Sequence, residues 1–185
     1  KKILEIISNI SIPDIEICVD ANQVLTYDEA TLWLLWCSEN KIKWLEEPFA
    51  PDNLPLFLKL HQFKNKEKLI TEIVSGENCP NLHTASSLMN RGIDRFQSDP
   101  CRMLGLVDTA ISSALASKYN IRVTPHAGGS YLDELTLHIQ AFNHARVLND
   151  INLSQSLTEN VGFCSHLFQN PTIVENGSTK VSSVP

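Results

Sequence analysis

No stretch of the sequence approaches the roughly 20 consecutive apolar residues that a membrane-spanning helix needs, so no segment reads as a transmembrane span. Positive charge is also short: 15 Lys and Arg against 21 Asp and Glu give a formal net charge of −6. That balance offers no electrostatic footprint for nucleic acid or an anionic membrane. The five cysteines (Cys18, Cys37, Cys79, Cys101, Cys164) are odd in number and form no Cys-x-x-Cys pair. Reduced thiols in a cytoplasmic protein are the reading that follows. Gly-x-Gly-x-x-Gly is absent, and with it the usual dinucleotide fingerprint; His-Glu-x-x-His is absent, and with it the usual zinc-hydrolase helix. No signal peptide is legible, but the chain opens without a Met, which leaves room for a targeting segment upstream of Lys1, mitochondrial included.

At 185 residues the chain is long enough to bury a sizeable core in one domain. We expect that domain over residues 1–175 and a peripheral Ser/Asn/Pro-rich tail over 176–185. Short β-branched runs predict strands over 15–19, 42–45, 68–73, 93–97 and 121–124, with a sixth over 157–161. Helical patterns fill the intervals. The first, over 1–9, is amphipathic, and the second is opened by the capping box Thr26-x-x-Glu29, runs through residue 38 and places Leu32, Trp33, Leu35 and Trp36 on its buried side. Further helices are predicted over 54–63, over 80–90 with Pro80 at the first position, over 107–119 and over 132–148. Strands alternating with helices of this length mean βα units and a parallel sheet, either a (β/α)8 barrel or a doubly wound open sheet. The missing Gly-rich phosphate loop favours the barrel. Eight such units need about 250 residues, so this α/β chain reads as about six units of an incomplete barrel.

The residues that close the successive strands are Asp20, Glu46, Glu77, Asp99, His126 and Glu159, at separations of 22 to 33 residues. In a barrel these positions share one mouth, where active sites are built. Singly, a carboxylate there is most simply a helix cap or a solvated loop charge. Three of them at consecutive strand ends (Asp20, Glu46, Glu77) repel one another unless a cation or protons intervene, and an all-oxygen donor set favours a hard cation, Mg2+ above all. Period-2 alternation points Glu47 away from Glu46, which places it behind the site. His126 sits between Pro125 and Ala127-Gly128-Gly129, where glycines let backbone approach a ligand. Asp99, one strand earlier, could hydrogen-bond one ring nitrogen and leave the other to move a proton. The remaining histidines (His61, His83, His138, His144, His166) show no ligand spacing.

Val19-Asp20-Ala21-Asn22-Gln23, Trp44-Leu45-Glu46-Glu47-Pro48, Ser75-Gly76-Glu77-Asn78-Cys79, Gln97-Ser98-Asp99 and Pro125-His126-Ala127-Gly128-Gly129 together resemble the successive barrel motifs of the enolase superfamily. Within it they are most similar to the mandelate racemase group and its acid-sugar dehydratases of the L-fuconate dehydratase type. The resemblance implies a Mg2+-dependent hydro-lyase that removes the proton α to a carboxylate and eliminates the β-hydroxyl, giving a 2-keto-3-deoxy sugar acid. It implies Asp20, Glu46 and Glu77 as metal ligands, Asp99 and His126 as the acid/base dyad, and Glu159 as a hydrogen-bond partner of the enolate oxygen. Its partners would be a small-molecule sugar acid and further copies of the parent protein. The family also expects a Lys-x-Lys strand, first barrel strands and an α+β capping domain, whose spacing falls upstream of Lys1. A dehydratase run of Cys-His-Asn is here Cys79-Pro80-Asn81. A racemase or cycloisomerase of the same superfamily, and a truncated product that binds metal without turnover, are the alternatives. On this reading the 185 residues alone are inactive.

Overall fold

The computed structural model describes residues 5, 15–130, 132–149, 156–162 and 165–181. Five short strands, β1 (Cys18–Asp20), β2 (Trp44–Glu46), β3 (Glu72–Ser75), β4 (Arg95–Phe96) and β5 (Arg122–Val123), form one sheet in sequential order, every neighbouring pair parallel. Helices α1 (Tyr27–Glu39), α2 (Leu54–Glu67), α3 (Leu82–Met89), α4 (Leu106–Lys118) and α5 (Leu132–Phe142) supply the crossovers and pack each against the next. A doubly wound sheet reverses its strand order at a switch point; this one never does. The chain is a run of βα units from an incomplete (β/α)8 barrel.

The core lies between the sheet and the helix layer. Leu45, Ile73 and Phe96 from the strands meet Ala30 and Leu34 of α1, Phe57 and Leu60 of α2, Ala85 and Leu88 of α3, and Ala116 of α4, all fully buried. Phe49 and Phe57 close one end in an edge-to-face pair, with centroids 5.4 Å apart at 84°. The inner face of the sheet is charged instead. Buried Arg95 donates Nε to Glu72 Oε2 at 2.8 Å and Nη1 to Thr124 Oγ1 at 2.8 Å, its guanidinium lies 5.4 Å from the Trp44 ring centroid, and Arg122 pairs with the same Glu72. Neither Glu72 nor Arg95 would tolerate loss of its partner, because an unpaired buried charge is costly.

Several sequence expectations need correction. Residues 156–162 form no strand: the Leu157 carbonyl accepts from Gln140 Nε2 at 2.9 Å, and the Val161 and Gly162 amides donate to Asp133 at 3.1 Å each. Side chains of α5 thus satisfy the backbone groups that a sheet ladder would have used. The buried stripe of α1 is Ala30, Leu34 and Cys37, at helical spacing, while Leu32 is 66% exposed and Trp33, Leu35 and Trp36 are only half-buried. Bulk misled the phase: the small Ala30 and Cys37 sit where the helix approaches the sheet. Pro80 precedes α3 rather than opening it; Asn81 is the cap, accepting from the Thr84 amide at 3.0 Å. The last helix turns π-helical over Asn143–Val147. Of the helix expected over 1–9, only Glu5 is described, and it is helical. Beyond the units, a two-residue-stranded hairpin pairs β6 (Val174–Glu175) with β7 (Ser178–Thr179). Among the described residues no helix is long and apolar enough to cross a membrane, and Cys18, Cys37, Cys79 and Cys101 are free thiols.

The capping box is as expected, with Thr26 Oγ1 accepting from the Glu29 amide and the Glu29 carboxylate accepting from the Thr26 amide at 2.8 Å. Truncating it in Thr26→Ala should cost roughly 1 kcal/mol in urea unfolding. The phase of α1 gives a sharper test. Leu34→Ala should lose roughly 2–5 kcal/mol and Leu32→Ala less than about 0.5 kcal/mol; the reverse order would show that the helix packs on its other face.

Candidate active site

Parallel register sets the depth of every residue that follows a strand. Asp20 lies directly opposite Glu46, and Glu46 opposite Val74. The pairing then runs on past the strand ends, through Ala21 N to Glu46 O at 3.0 Å, Glu47 N to Val74 O at 2.9 Å, Gln97 N to Ser75 O at 3.1 Å and His126 N to Ser98 O at 3.0 Å. These bonds place Asp20, Glu46, Glu77, Asp99 and His126 around one mouth. The β3 loop reaches it only through Gly76, whose φ is +137° and whose added Cβ would lie 2.5 Å from the Phe96 ring. Strain gathers here as well, in the positive φ of Asn22 (45°), Gln23 (67°) and Glu47 (37°).

His126 and Asp99 meet as expected. The buried imidazole places Nδ1 2.8 Å from Asp99 Oδ2, and Asp99 Oδ1 accepts from the Cys101 amide at 2.7 Å and the Arg102 amide at 3.2 Å. The other ring nitrogen, Nε2, looks toward Glu77 Oε2 at 3.3 Å and Glu159 Oε2 at 3.9 Å. Glu159 arrives without a strand: its Oε2 accepts from the Ala127 amide at 2.5 Å. Burial alone would raise the Asp99 carboxyl, but the His126 hydrogen bond and the two backbone amides outweigh it and hold Asp99 below its ordinary value. For His126, burial lowers the pKa and is outweighed by the Asp99 hydrogen bond and the charges of Glu77 and Glu159, which leave it raised.

The three expected metal ligands stand at adjacent strand ends, but each is turned to a donor of its own. Asp20, exposed, accepts from the Asn22 backbone and side-chain amides at 2.8 and 2.7 Å. Glu46 accepts from Trp44 Nε1 at 2.9 Å and from Gln97. Glu77 accepts from Arg102 Nη1 at 2.7 Å and Asn78 Nδ2 at 3.2 Å. Among the described residues no three His, Cys, Asp or Glu side chains are gathered as a metal-ligand group. The charges nonetheless feel one another. Burial pushes the Glu46 carboxyl up to about 7, against the Gln97 and Trp44 hydrogen bonds and with the help of Asp20 and Glu77. Ser75 Oγ, Gln97 Oε1 and Ser98 Oγ, buried at the ends of β3 and β4, have no hydrogen-bond partner among the described residues. Oxygen donors, unneutralised negative charge and unmatched polar atoms are together the chemistry that fits a hard divalent cation.

Glu47 behaves differently from its neighbour. It is 1% exposed and accepts from Gln23 Nε2 at 2.7 Å and from Asn78 Nδ2 at 2.8 and 3.0 Å, so it ties the β1, β2 and β3 loops together behind the mouth. A cavity of about 210 Å³ on the inner face has Glu46, Gln97, Thr124 and Glu159 in its wall. A larger one, about 630 Å³, lies at the far end of the sheet beside the loops that enter β4 and β5 and contains none of these residues. In (β/α)8 barrels active sites lie at the strand C-termini, the end at which Glu46, Gln97 and Glu159 line the smaller cavity. Arg102, Asn78, Gln97 and Gln23 escape a reading of the sequence. Gln23, Asn78 and Gln97 fall inside the strand-end motifs but carry no mark of their contacts there, and Arg102 lies outside those motifs.

Residues 3–185 match the family described as enolase C-terminal domain-like. The chain is 29% identical over 163 residues to the L-galactonate dehydratase of Hypocrea jecorina, which covers 86% of this chain and 34% of that protein. It is 31% identical over 176 residues to mitochondrial enolase superfamily member 1 of Homo sapiens, covering 94% of this chain and 39% of that one. The crystal structure of the human protein superposes with a TM-score of 0.84 over 95% of this chain and 39% of its own, at 28% identity. L-talarate dehydratase from Polaromonas sp. JS666, solved with Mg and L-glucarate, shares the fold, with a TM-score of 0.74 over 90% of this chain and 42% of its own at 21% identity. The chain therefore spans between about a third and two fifths of the length of these curated relatives.

Two measurements test the mouth. A Cβ on Gly128 would fall 2.4 Å from His126 Nε2, so Gly128→Ala should leave the far-UV spectrum unchanged while removing the low-field imidazole N–H proton signal of the bond to Asp99. An unchanged signal would show that the ring is not confined by that loop. The second concerns pH. Asp99, depressed, stabilises the fold above its unfolded value and loses that contribution as pH falls through its native one. His126, raised, stabilises below its unfolded value and loses that contribution as pH rises through its native one. The pair should add most between about pH 4 and 6.5, and Asp99→Asn should flatten the stability profile across that window.

Proposed function

The chain belongs to the enolase C-terminal domain-like family, and from that premise we propose that it carries the metal and histidine side of an acid-sugar dehydratase. The reaction is loss of the proton α to a carboxylate and departure of the β-hydroxyl as water, leaving a 2-keto-3-deoxy sugar acid. The observation that carries this reading is the buried His126–Asp99 pair, whose free nitrogen faces Glu77 and Glu159 over the carboxylate-lined mouth. Asp99 fixes the imidazole through Nδ1, which leaves Nε2 to hold or move the proton. A raised pKa keeps that proton available near neutrality, and a departing hydroxyl needs one. Glu159, anchored on the Ala127 amide, would in its protonated form donate a hydrogen bond to the substrate oxygen on which charge develops.

Asp20, Glu46 and Glu77 would hold Mg2+. When bound, that ion offsets the negative charge that gathers on the substrate carboxylate, which is what makes so weak an acid ionisable. The Hypocrea jecorina relative, named for L-galactonate dehydration, supports a sugar-acid substrate, and we take an L-fuconate-like acid as the first candidate. Pro80 stands where a dehydratase of that type carries histidine, so an L-fuconate-like acid would be held here without that side chain.

Mg2+ titrated calorimetrically into metal-free intact protein should bind to the wild type and not to Glu46→Gln; equal binding by both would remove the metal site. His126→Asn should bind Mg2+ normally yet form 2-keto product from acid sugars roughly 100-fold more slowly or worse. Undiminished product formation would show that His126 moves no proton.

A further inference from the structure

Arg102 lies in the loop after β4 and reaches back across the mouth. Its Nη1 donates to Glu77 Oε1 at 2.7 Å and to Asn78 Oδ1 at 2.8 Å, while its Nε lies 3.6 Å from Asp99 Oδ2. Its backbone amide also caps Asp99, donating to Oδ1 at 3.2 Å. One side chain therefore touches a carboxylate from the metal half and another from the histidine half. Asn78 extends the connection inward, since its amide donates to both oxygens of buried Glu47 and to Glu77. Hydrogen bonds, with one 3.6 Å ion pair between Arg102 and Asp99, thus run from Gln23 in the β1 loop through Glu47, Asn78 and Arg102 to Asp99 and His126, touching all five strand mouths.

We propose that Arg102 is a positioning residue, which holds one oxygen of Glu77 so that the other is left to a cation and locks Glu77 in place relative to Asp99. This rests on the metal-dependent reading above. Glu77 Oε1 is taken twice, by Arg102 and by Asn78, whereas among the described residues Oε2 meets only His126 Nε2, at 3.3 Å. A carboxylate clamped on one oxygen and open on the other is pre-aimed as a ligand, and groups that orient a ligand in this way commonly govern 10- to 100-fold in metal affinity. Without the clamp, the nearest cationic partner of Glu77 is His126, and pairing with it would occupy the nitrogen that has to move the proton. The Arg102 side chain is 41% exposed while Glu77 and Asp99 are 12% and 2% exposed, so these ion pairs are only part-solvated, and the charge-retaining Arg102→Lys separates positioning from fold stability. The planar guanidinium matters as much as its charge. Its N–H groups point in fixed directions and address Glu77, Asn78 and Asp99 at once, whereas an ammonium concentrates its donors at one point.

The test is Mg2+ alone, titrated into metal-free intact protein, with wild type, Arg102→Lys, Arg102→Ala and Glu46→Gln compared. Glu46→Gln should lose binding. Both Arg102 variants should weaken it by about tenfold or more, with the metal-free unfolding temperature of Arg102→Lys unchanged. In turnover with acid sugars, Arg102→Lys should lower kcat and leave KM for the sugar acid in place, since Arg102 acts through Glu77 and Asp99 rather than on the substrate. Wild-type affinity in Arg102→Lys, beside lost binding in Glu46→Gln, would overturn the proposal and leave the metal site standing. Tighter binding in Arg102→Ala would overturn it too, by showing that Arg102 merely repels the cation. Wild-type binding in Glu46→Gln would remove the metal site and this inference with it.

Discussion

Five strands paired in parallel and in sequential order place the residue that follows each strand at a common depth, and everything chemical in this chain is downstream of that register. Asp20 faces Glu46 across one ladder, and the ladder bonds continue through Glu47, Gln97 and His126 after the strands have formally ended. The strands are only two to four residues long, so these extra bonds carry much of the alignment. Gly76 is where the register would fail first. Its positive φ and the Phe96 ring beside it admit no side chain, and the loop it begins delivers Glu77.

The inner face of the sheet divides into two electrostatic regimes. Toward the strand N-termini, Glu72, Arg95 and Arg122 neutralise one another and Arg95 lies over Trp44. Toward the C-termini the acids outnumber their cations among the described residues: Arg102 serves Glu77 and Asp99, and Glu46 has only neutral donors there. That contrast is functional in form. A fold built for stability alone would pair its carboxylates at both ends; here one end is left with charge to spare, and Glu46, raised chiefly by burial, is raised further by Asp20 and Glu77.

Much of this was legible in the sequence because the informative residues sit at places local chemistry marks. Asp20, Glu46, Glu77 and His126 each follow an apolar β-branched run and precede a turn, and Asp99 lies one strand from His126, so alternation and turn signals found them all. The Thr26 capping box was equally local. What escaped was decided by tertiary packing. The buried side of α1 follows from which small residues let the helix approach the sheet, and Ala30 and Cys37 give no hydrophobic signal to compare with Trp33 and Trp36. The strand expected over 157–161 has the right composition, yet Asp133 and Gln140 of α5 claim its backbone groups. Glu159 nonetheless reaches His126, through the Ala127 amide rather than through a sheet. Arg102 and Asn78 matter only because two loops separated in sequence touch, and no local pattern records that.

The central claim is that the carboxylates at three consecutive strand ends receive one divalent cation beside the His126–Asp99 pair. The most direct measurement is a crystal structure of the intact protein grown with Mn2+ in place of Mg2+, the ion located by its anomalous scattering. One peak ligated by oxygens of Asp20, Glu46 and Glu77 is the predicted result. A map without a peak there, or with the ion bound by other residues, would contradict it.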